Sequence, residues 1–514
     1  MFRKTGLATS LAAFIAVFGA PAHSQTVTIE TVDGNISMQG IIRAFDGENY
    51  DFESSIGRTL VPASVVICRG EACPVIDDGS KLNANIAILD EPSKALLAGL
   101  VTAFAKDNDL VVDAADASFA FTDNDGEEAG ETIVNASSQR DAFLSLLQGE
   151  TQVVFSTAPI SDDLAAEFVA SGYADLRDPG REVVVALDAI VPATHPENTV
   201  RDLSLSVLGQ IAAGRITNWN ELGGPDLPIR MILPDDDTSI AQVVDERILR
   251  PNRLRLNRSL ERVATEADAA AIVAEDPSAI TLTSAALATD TKPLPIREVC
   301  GPLSVPTDFA IKAEEYPLAR RVLMYTSEQA LTQRVKELLS YAGSAEAQLQ
   351  YIDVGFFGQS VENVPMSLQG SRLASAILQT ETPEVFEATR KLTQTLTLAD
   401  RLSTTFRFEA GSTDLDNKSR RDAVRIAEYL TLPENGQREI LLFGFTDSVG
   451  RNDLNQLLSL QQANVISQAI VDASNGRISP DRIVVTSYGS LAPVGCNDTA
   501  EGRNSNRRVE VWLR

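Results

Sequence analysis

The sequence predicts a multidomain α/β protein: a small β-rich module, a long region of alternating strand-like and helix-like stretches, and a compact βαβ module at the C-terminal end. Three observations lead there. The 514 residues exceed what one core usually holds, and at ~100–200 residues per domain three modules are a natural division. Hydrophobic content of 44% with 22% charged residues is that of folded chain rather than disordered tail. The hydrophobic period also changes along the chain, from short alternation to the helical repeat.

Taken in order, residues 1–24 have the pattern of a secretory signal peptide. Arg3 and Lys4 precede an apolar run from Leu7 to Phe18, and Ala22 and Ser24 place the cut before Gln25. The run is short of the ~20 residues a bilayer span needs. No Cys stands at the cleavage site, so no lipid anchor is expected. Residues 25–80 show alternation broken by Asp33-Gly34 and Asp46-Gly47, which predicts four or five strands. Residues 81–360 alternate strands (85–89, 153–155, 183–187) with helices (93–104, 203–213, 333–342), a rhythm that predicts helices on a mostly parallel sheet. Asp123-Asn124-Asp125-Gly126 is expected to be a turn. Residues 361–400, with Pro365, Pro383 and many threonines, suggest a partly helical linker. Residues 401–514 predict strand, helix, strand, helix, strand and a final strand. In that last strand Val509, Val511 and Leu513 alternate with Arg508, Glu510 and Trp512.

Composition excludes several classes. A formal charge of −27 repels nucleic acid and anionic lipid. With two histidines, His23 and His195, the chain lacks the imidazole supply for Ser-His-Asp or Cys-His catalysis or for a zinc site. No catalytic residues, metal or cofactor are expected. Four cysteines in an exported chain suggest disulfides. Cys68 and Cys73 would close a small loop. Cys300 and Cys496 would either join two modules or stay as buried thiols.

The C-terminal module carries Gly444-Phe445-Thr446-Asp447-Ser448-Val449-Gly450, then Asn455-Gln456-Leu457-Leu458-Ser459, then Asn506-Arg507-Arg508-Val509-Glu510. Asp447 sits where a buried strand gives way to a helix, so its carboxylate can accept helix N-terminal amides or meet a cation. Together these runs resemble the OmpA-like family. The resemblance implies non-covalent binding of peptidoglycan through the diaminopimelate of the stem peptide, with Asp447 holding the ammonium group. Thr446, Gly450, Asn455 and Leu458 would shape the pocket, and Arg508 would stand near it. Gln462 occupies the place of the family's carboxylate-clamping Arg. An amide lacks the charged bidentate fork, and the loss of a charge-assisted bond costs ~1.5–3 kcal/mol.

The run Ile211-Ala212-Ala213-Gly214-Arg215-Ile216-Thr217-Asn218-Trp219-Asn220-Glu221-Leu222-Gly223-Gly224, with Ser156-Thr157-Ala158-Pro159-Ile160, Tyr316-Pro317-Leu318 and Gly355-Phe356-Phe357, resembles the phosphate ABC-transporter substrate-binding (PstS-like) proteins. That resemblance implies a two-lobed periplasmic-binding-protein-like fold of type II with ligand between the lobes, phosphate or another oxyanion as the solute, and an ABC-transporter permease as partner. By position, Ser93, Ser156, Thr157, Asp188, Thr238 and Ser239 would form the site. The loops depart from the pattern: Leu89-Asp90-Glu91-Pro92-Ser93 and Asp235-Asp236-Asp237-Thr238-Ser239 place carboxylates where an anion should sit. The function expected is a non-catalytic binding protein of a Gram-negative periplasm or outer-membrane-associated envelope, held on peptidoglycan. The alternative is a structural envelope protein whose solute module has lost its ligand and contacts proteins.

Overall fold

The structure is a computed structural model and describes residues 26–31, 36–45, 49–70, 72–73, 81–115, 117–235, 239–298, 300, 303–326, 331–378, 380 and 382–514. The expected signal peptide lies outside these residues. The chain divides into two compact units, 1–79 and 80–514.

The first unit is a five-stranded antiparallel sheet in which the first strand, Val27–Thr31, pairs with both Ser37–Phe45 and Val66–Arg69. Alternation places Val27, Ile29, Tyr50, Phe52 and Val66 on one buried face. Cys68 and Cys73 are disulfide-bonded beside it.

The second unit begins with an 11-stranded sheet. It is mixed rather than mostly parallel. Ala84–Ile88 pairs in parallel with Glu128–Ala136 and Val153–Ser156, and Arg230–Pro234 with Ala279–Ser284. The middle of the sheet is antiparallel. The cause is the 13-residue strand Glu182–Thr194, buried along nearly all its length. It pairs first with Ala319–Thr326 and then with Ala279–Ser284, so it runs from one lobe into the other. This one crossing strand, with Ala319–Thr326 paired along its first part, is the hinge of a two-lobed domain. The Trp219 segment anchors the second lobe: Asn218 and Glu221 form a capping box, Gly223 closes the turn at φ 76°, and the buried indole donates to Ser278 O at 3.0 Å. The Asp123–Gly126 turn forms as expected, with Asp123 Oδ1 accepting the amides of Asp125 and Glu127.

The C-terminal part is a five-stranded sheet in the order Asn363–Pro365, Asp400–Arg407, Arg508–Leu513, Ile440–Phe445, Ile483–Gly489. Helices Asn417–Leu430 and Asn452–Ala473 cover one face through Ile426, Leu430, Ile466 and Ile470. The stretch expected as a linker covers the other face. Asn363–Pro365 is its edge strand, and Leu392, Leu396 and Ala399 of the helix Pro383–Leu396 and its exit pack on Leu441, Phe443, Phe445 and Trp512. The sheet is therefore buried on both sides. All six residues of Arg508–Leu513 are buried, and Glu510 satisfies both Arg508 Nε at 2.7 Å and Trp512 Nε1 at 3.0 Å.

The C-terminal part is fastened to the two-lobed part. Arg321 Nη1 meets Asp416 Oδ2 at 2.7 Å and the buried Arg401 meets Glu315. Cys300 and Cys496 form a disulfide, the cross-module option. Among the described residues no helix is long and apolar enough to cross a membrane.

Candidate functional site

Two constellations stand out. The first lies at the end of strand Ile440–Phe445. Gly444 lets the long helix approach, since a Cβ there would lie 2.1 Å from Ser459 O. Thr446 N donates to Gly489 O, and the chain turns through Gly450 at φ 96°. Inside the turn Asp447 Oδ1 accepts the Val449 amide at 2.9 Å, and Asn455 Nδ2 braces the carbonyls of Asp447 and Val449. Asp447 Oδ2 meets Arg507 Nη1 at 2.7 Å, with Asp447 only 8% exposed. Thr446 Oγ1 is buried without a partner, and Leu458 is half-buried nearby on the helix.

Thr446, Asp447, Gly450 and Asn455 are thus gathered as expected. Arg508 is not: its guanidinium lies 4.1 Å from the Phe445 ring centroid and bonds Glu510 and Ala492 O on the buried sheet face. The neighbouring Arg507 is the cation at Asp447, because successive residues entering a strand point to opposite faces. Gln462 is fully buried and donates to Ser412 O at 2.8 Å, so it ties down a loop.

The second constellation lies between the lobes. Asp90 caps the helix Glu91–Asp107 through Oδ1, which accepts Ser93 N at 2.9 Å. Its Oδ2 accepts both Thr157 N and Thr157 Oγ1 at 2.8 Å. Glu91 Oε2 accepts Ala267 N of the other lobe at 3.2 Å. Helix N-terminal amides and a hydroxyl are the donors an oxyanion would use, and here the chain's own carboxylates take them. Thr157 Oγ1 lies 3.1 Å from Ser239 Oγ, which accepts Arg320 Nη1 at 3.0 Å. Arg320 Nε binds Asp188 Oδ2 at 2.8 Å, and Asp188 Oδ1 accepts Ser284 Oγ.

Ser93, Thr157, Asp188 and Ser239 therefore converge around Asp90 and Arg320. Ser156 does not join them; its hydroxyl donates to Ala158 O within its own turn. Thr238 lies outside the described residues. Arg320 was missed in the sequence because it sits far from the other loops, on the hinge strand after Tyr316-Pro317-Leu318. Burial opposes its charge, but Asp188, Glu266 and Asp90 hold it protonated above its ordinary range.

Burial pushes the Glu266 carboxyl up to about 7 against the pull of Arg320. An acid raised on folding contributes fully below its unfolded value of ~4.3 and loses that contribution as pH climbs. Stability should therefore fall as pH rises from near 4.5 through about 7. Glu266→Gln is expected to flatten that fall by on the order of 3 kcal/mol. Urea unfolding at acid and mildly alkaline pH measures it; equal slopes in both proteins would contradict the assignment.

A two-lobed α/β domain of the solute-receptor fold class is joined to a separate sheet that carries a Thr-Asp turn. The chain belongs to the PBP superfamily, whose domain profile matches residues 93–352, and it carries an OmpA family domain over residues 407–507. Outer membrane porin F of Pseudomonas aeruginosa is 31% identical over 105 residues, 20% of this chain and 29% of the relative. The peptidoglycan-binding protein ArfA of Mycobacterium tuberculosis is 35% identical over 72 residues, 14% of this chain and 21% of the relative. The chain thus spans under a third of the length of either relative. An ABC-type phosphate transport receptor from Vibrio cholerae is a structural neighbour at 15% identity and TM-score 0.38, covering 53% of this chain and 99% of that one.

Proposed function

We propose that this is a non-catalytic protein of the bacterial envelope, exported to the periplasm and held on peptidoglycan by its C-terminal domain. The observation that carries the reading is the buried pair of Asp447, in the turn after Ile440–Phe445, and Arg507, at the entry to Arg508–Leu513. Diaminopimelate ends in an ammonium and a carboxylate on one carbon. Asp447 would take the first and Arg507 the second, which supplies the guanidinium that Gln462 lacks. The OmpA family match supports this assignment. In sedimentation with purified peptidoglycan, Asp447→Ala should weaken binding about ten-fold or more, and Asp447→Glu should recover part of it. Undiminished co-sedimentation of a folded Asp447→Ala protein would remove Asp447 from the site.

For the two-lobed module, the reading is a receptor fold that does not take phosphate. Asp90 already accepts the Ser93 amide and both Thr157 donors, leaving only the buried Ser93 Oγ without a partner, and a second anion beside that carboxylate would be repelled. This weighs against phosphate and a phosphate-permease partner. A ligand at 100 times its Kd adds ~2.7 kcal/mol of stability. Millimolar phosphate is expected to give neither heat nor a shift in Tm, and a clear rise in Tm would restore the oxyanion reading.

A further inference from the structure

A cavity of about 550 Å³ lies where the two lobes meet the C-terminal domain. Thr157 and Pro159 line it from the first lobe, Val243 and Arg247 from the second, and Phe408 and Glu409 from the C-terminal domain. It is far larger than a tetrahedral oxyanion requires and lies within the ~300–1,000 Å³ typical of small-molecule sites.

Its charges are unevenly matched. Arg321 is paired with Glu314 and Asp416, and Arg320 with Asp188. Arg247 and Arg407 also line the cavity, yet each donates only to backbone carbonyls: Arg247 to Pro317 and Ala319, Arg407 to Ser505, Ala313 and Glu314. Among the described residues neither has a carboxylate within ion-pair distance, and Arg407 Nε is buried without an acceptor. Burial pushes both guanidinium groups below their ordinary range, against the longer-range pull of Glu501, Glu246 and Glu314 on Arg247 and of Glu315 and Glu314 on Arg407, and an anionic group in direct contact would offset that burial. Glu409 and Asp414 are exposed lining carboxylates on the C-terminal domain, whereas Glu246 and Glu501 line the cavity on the side of Arg247. Ala158, Pro159, Val243, Leu323 and Phe408 supply small apolar surface between these groups. The loop bearing Phe408 and Glu409 is held from behind by Gln462 on Ser412 O and by Arg507 Nε on Phe408 O.

We infer that this cavity binds a short peptide with free termini, its carboxylate end against Arg247 and Arg407 and its ammonium end against the exposed acids. The opposed charges select a zwitterion over a plain anion, and the volume selects a few residues over a single amino acid. The inference deepens the receptor reading of the two-lobed module and is independent of wall anchoring.

The test is calorimetric titration of the full chain with di-, tri- and tetra-alanine, beside N-acetylated, C-amidated trialanine. At least one free peptide should bind with Kd of ~1 mM or tighter. The blocked peptide should bind about ten-fold or more weakly, and Arg247→Met should weaken the free peptide by a similar factor. The titration is made without peptidoglycan, so its outcome is separate from that of the wall-anchoring test. The inference is overturned if no free peptide gives heat at ~5 mM, if the blocked peptide binds equally well, or if a folded Arg247→Met protein binds as tightly as wild type.

Discussion

Replacing Cys300 and Cys496 together by serine should lower the unfolding free energy of the larger unit by up to about 5 kcal/mol. The two cysteines are 196 residues apart in sequence, and the loop-closure entropy withheld from the unfolded chain grows with the logarithm of that separation. The bond does not work alone. Arg321–Asp416, Arg401–Glu315 and Lys312–Glu362 join the same two parts, so the variant should still fold with the parts docked. Urea unfolding of wild type and variant without reductant gives the difference. A change below ~1 kcal/mol would mean that the unfolded chain is already compact or that the bond is strained in solution.

Arg320→Met should cost about 3–5 kcal/mol. The guanidinium is buried between Asp188 at 2.8 Å and Glu266 at 3.6 Å, and both acids are buried too. A methionine of similar length fills much of the space but leaves two like charges facing each other without water. The loss should be smaller in Arg320→Met/Glu266→Gln, because Glu266 is the acid that burial has already pushed toward its neutral form. Denaturant unfolding of the single and double variants forms a cycle. Strict additivity would show that the two side chains do not interact, and the closed-cleft network around Arg320 would then have to be redrawn.

Element positions were largely legible because they rest on local periodicity. The strand, helix, strand, helix, strand order expected from residue 401 is Asp400–Arg407, Asn417–Leu430, Ile440–Phe445, Asn452–Ala473 and Ile483–Gly489. What escaped was set by distant partners. The 361–400 stretch looks like a linker because Pro365, Pro383 and its threonines interrupt it and no strand signal appears, yet Leu392 and Leu396 suffice to cover a sheet face already rich in Phe443, Phe445 and Trp512. With that face hidden, the polar positions of the last strand could not be recognised as buried. The same alternation decides between Arg507 and Arg508. Motif position favoured one, and strand facing chose the other. In the cleft, the sequence shows carboxylates where an anion was expected, but only the fold shows that Asp90 occupies the donors itself.

The Cys300–Cys496 bond also bears on how the protein would survive proteolysis. Any single backbone cut between residues 301 and 495 leaves the two fragments covalently connected. Damage in that interval would be invisible on a non-reducing gel and appear as two bands only after thiol treatment, while a cut between residues 74 and 299 would leave a fragment with no covalent link to the C-terminal domain.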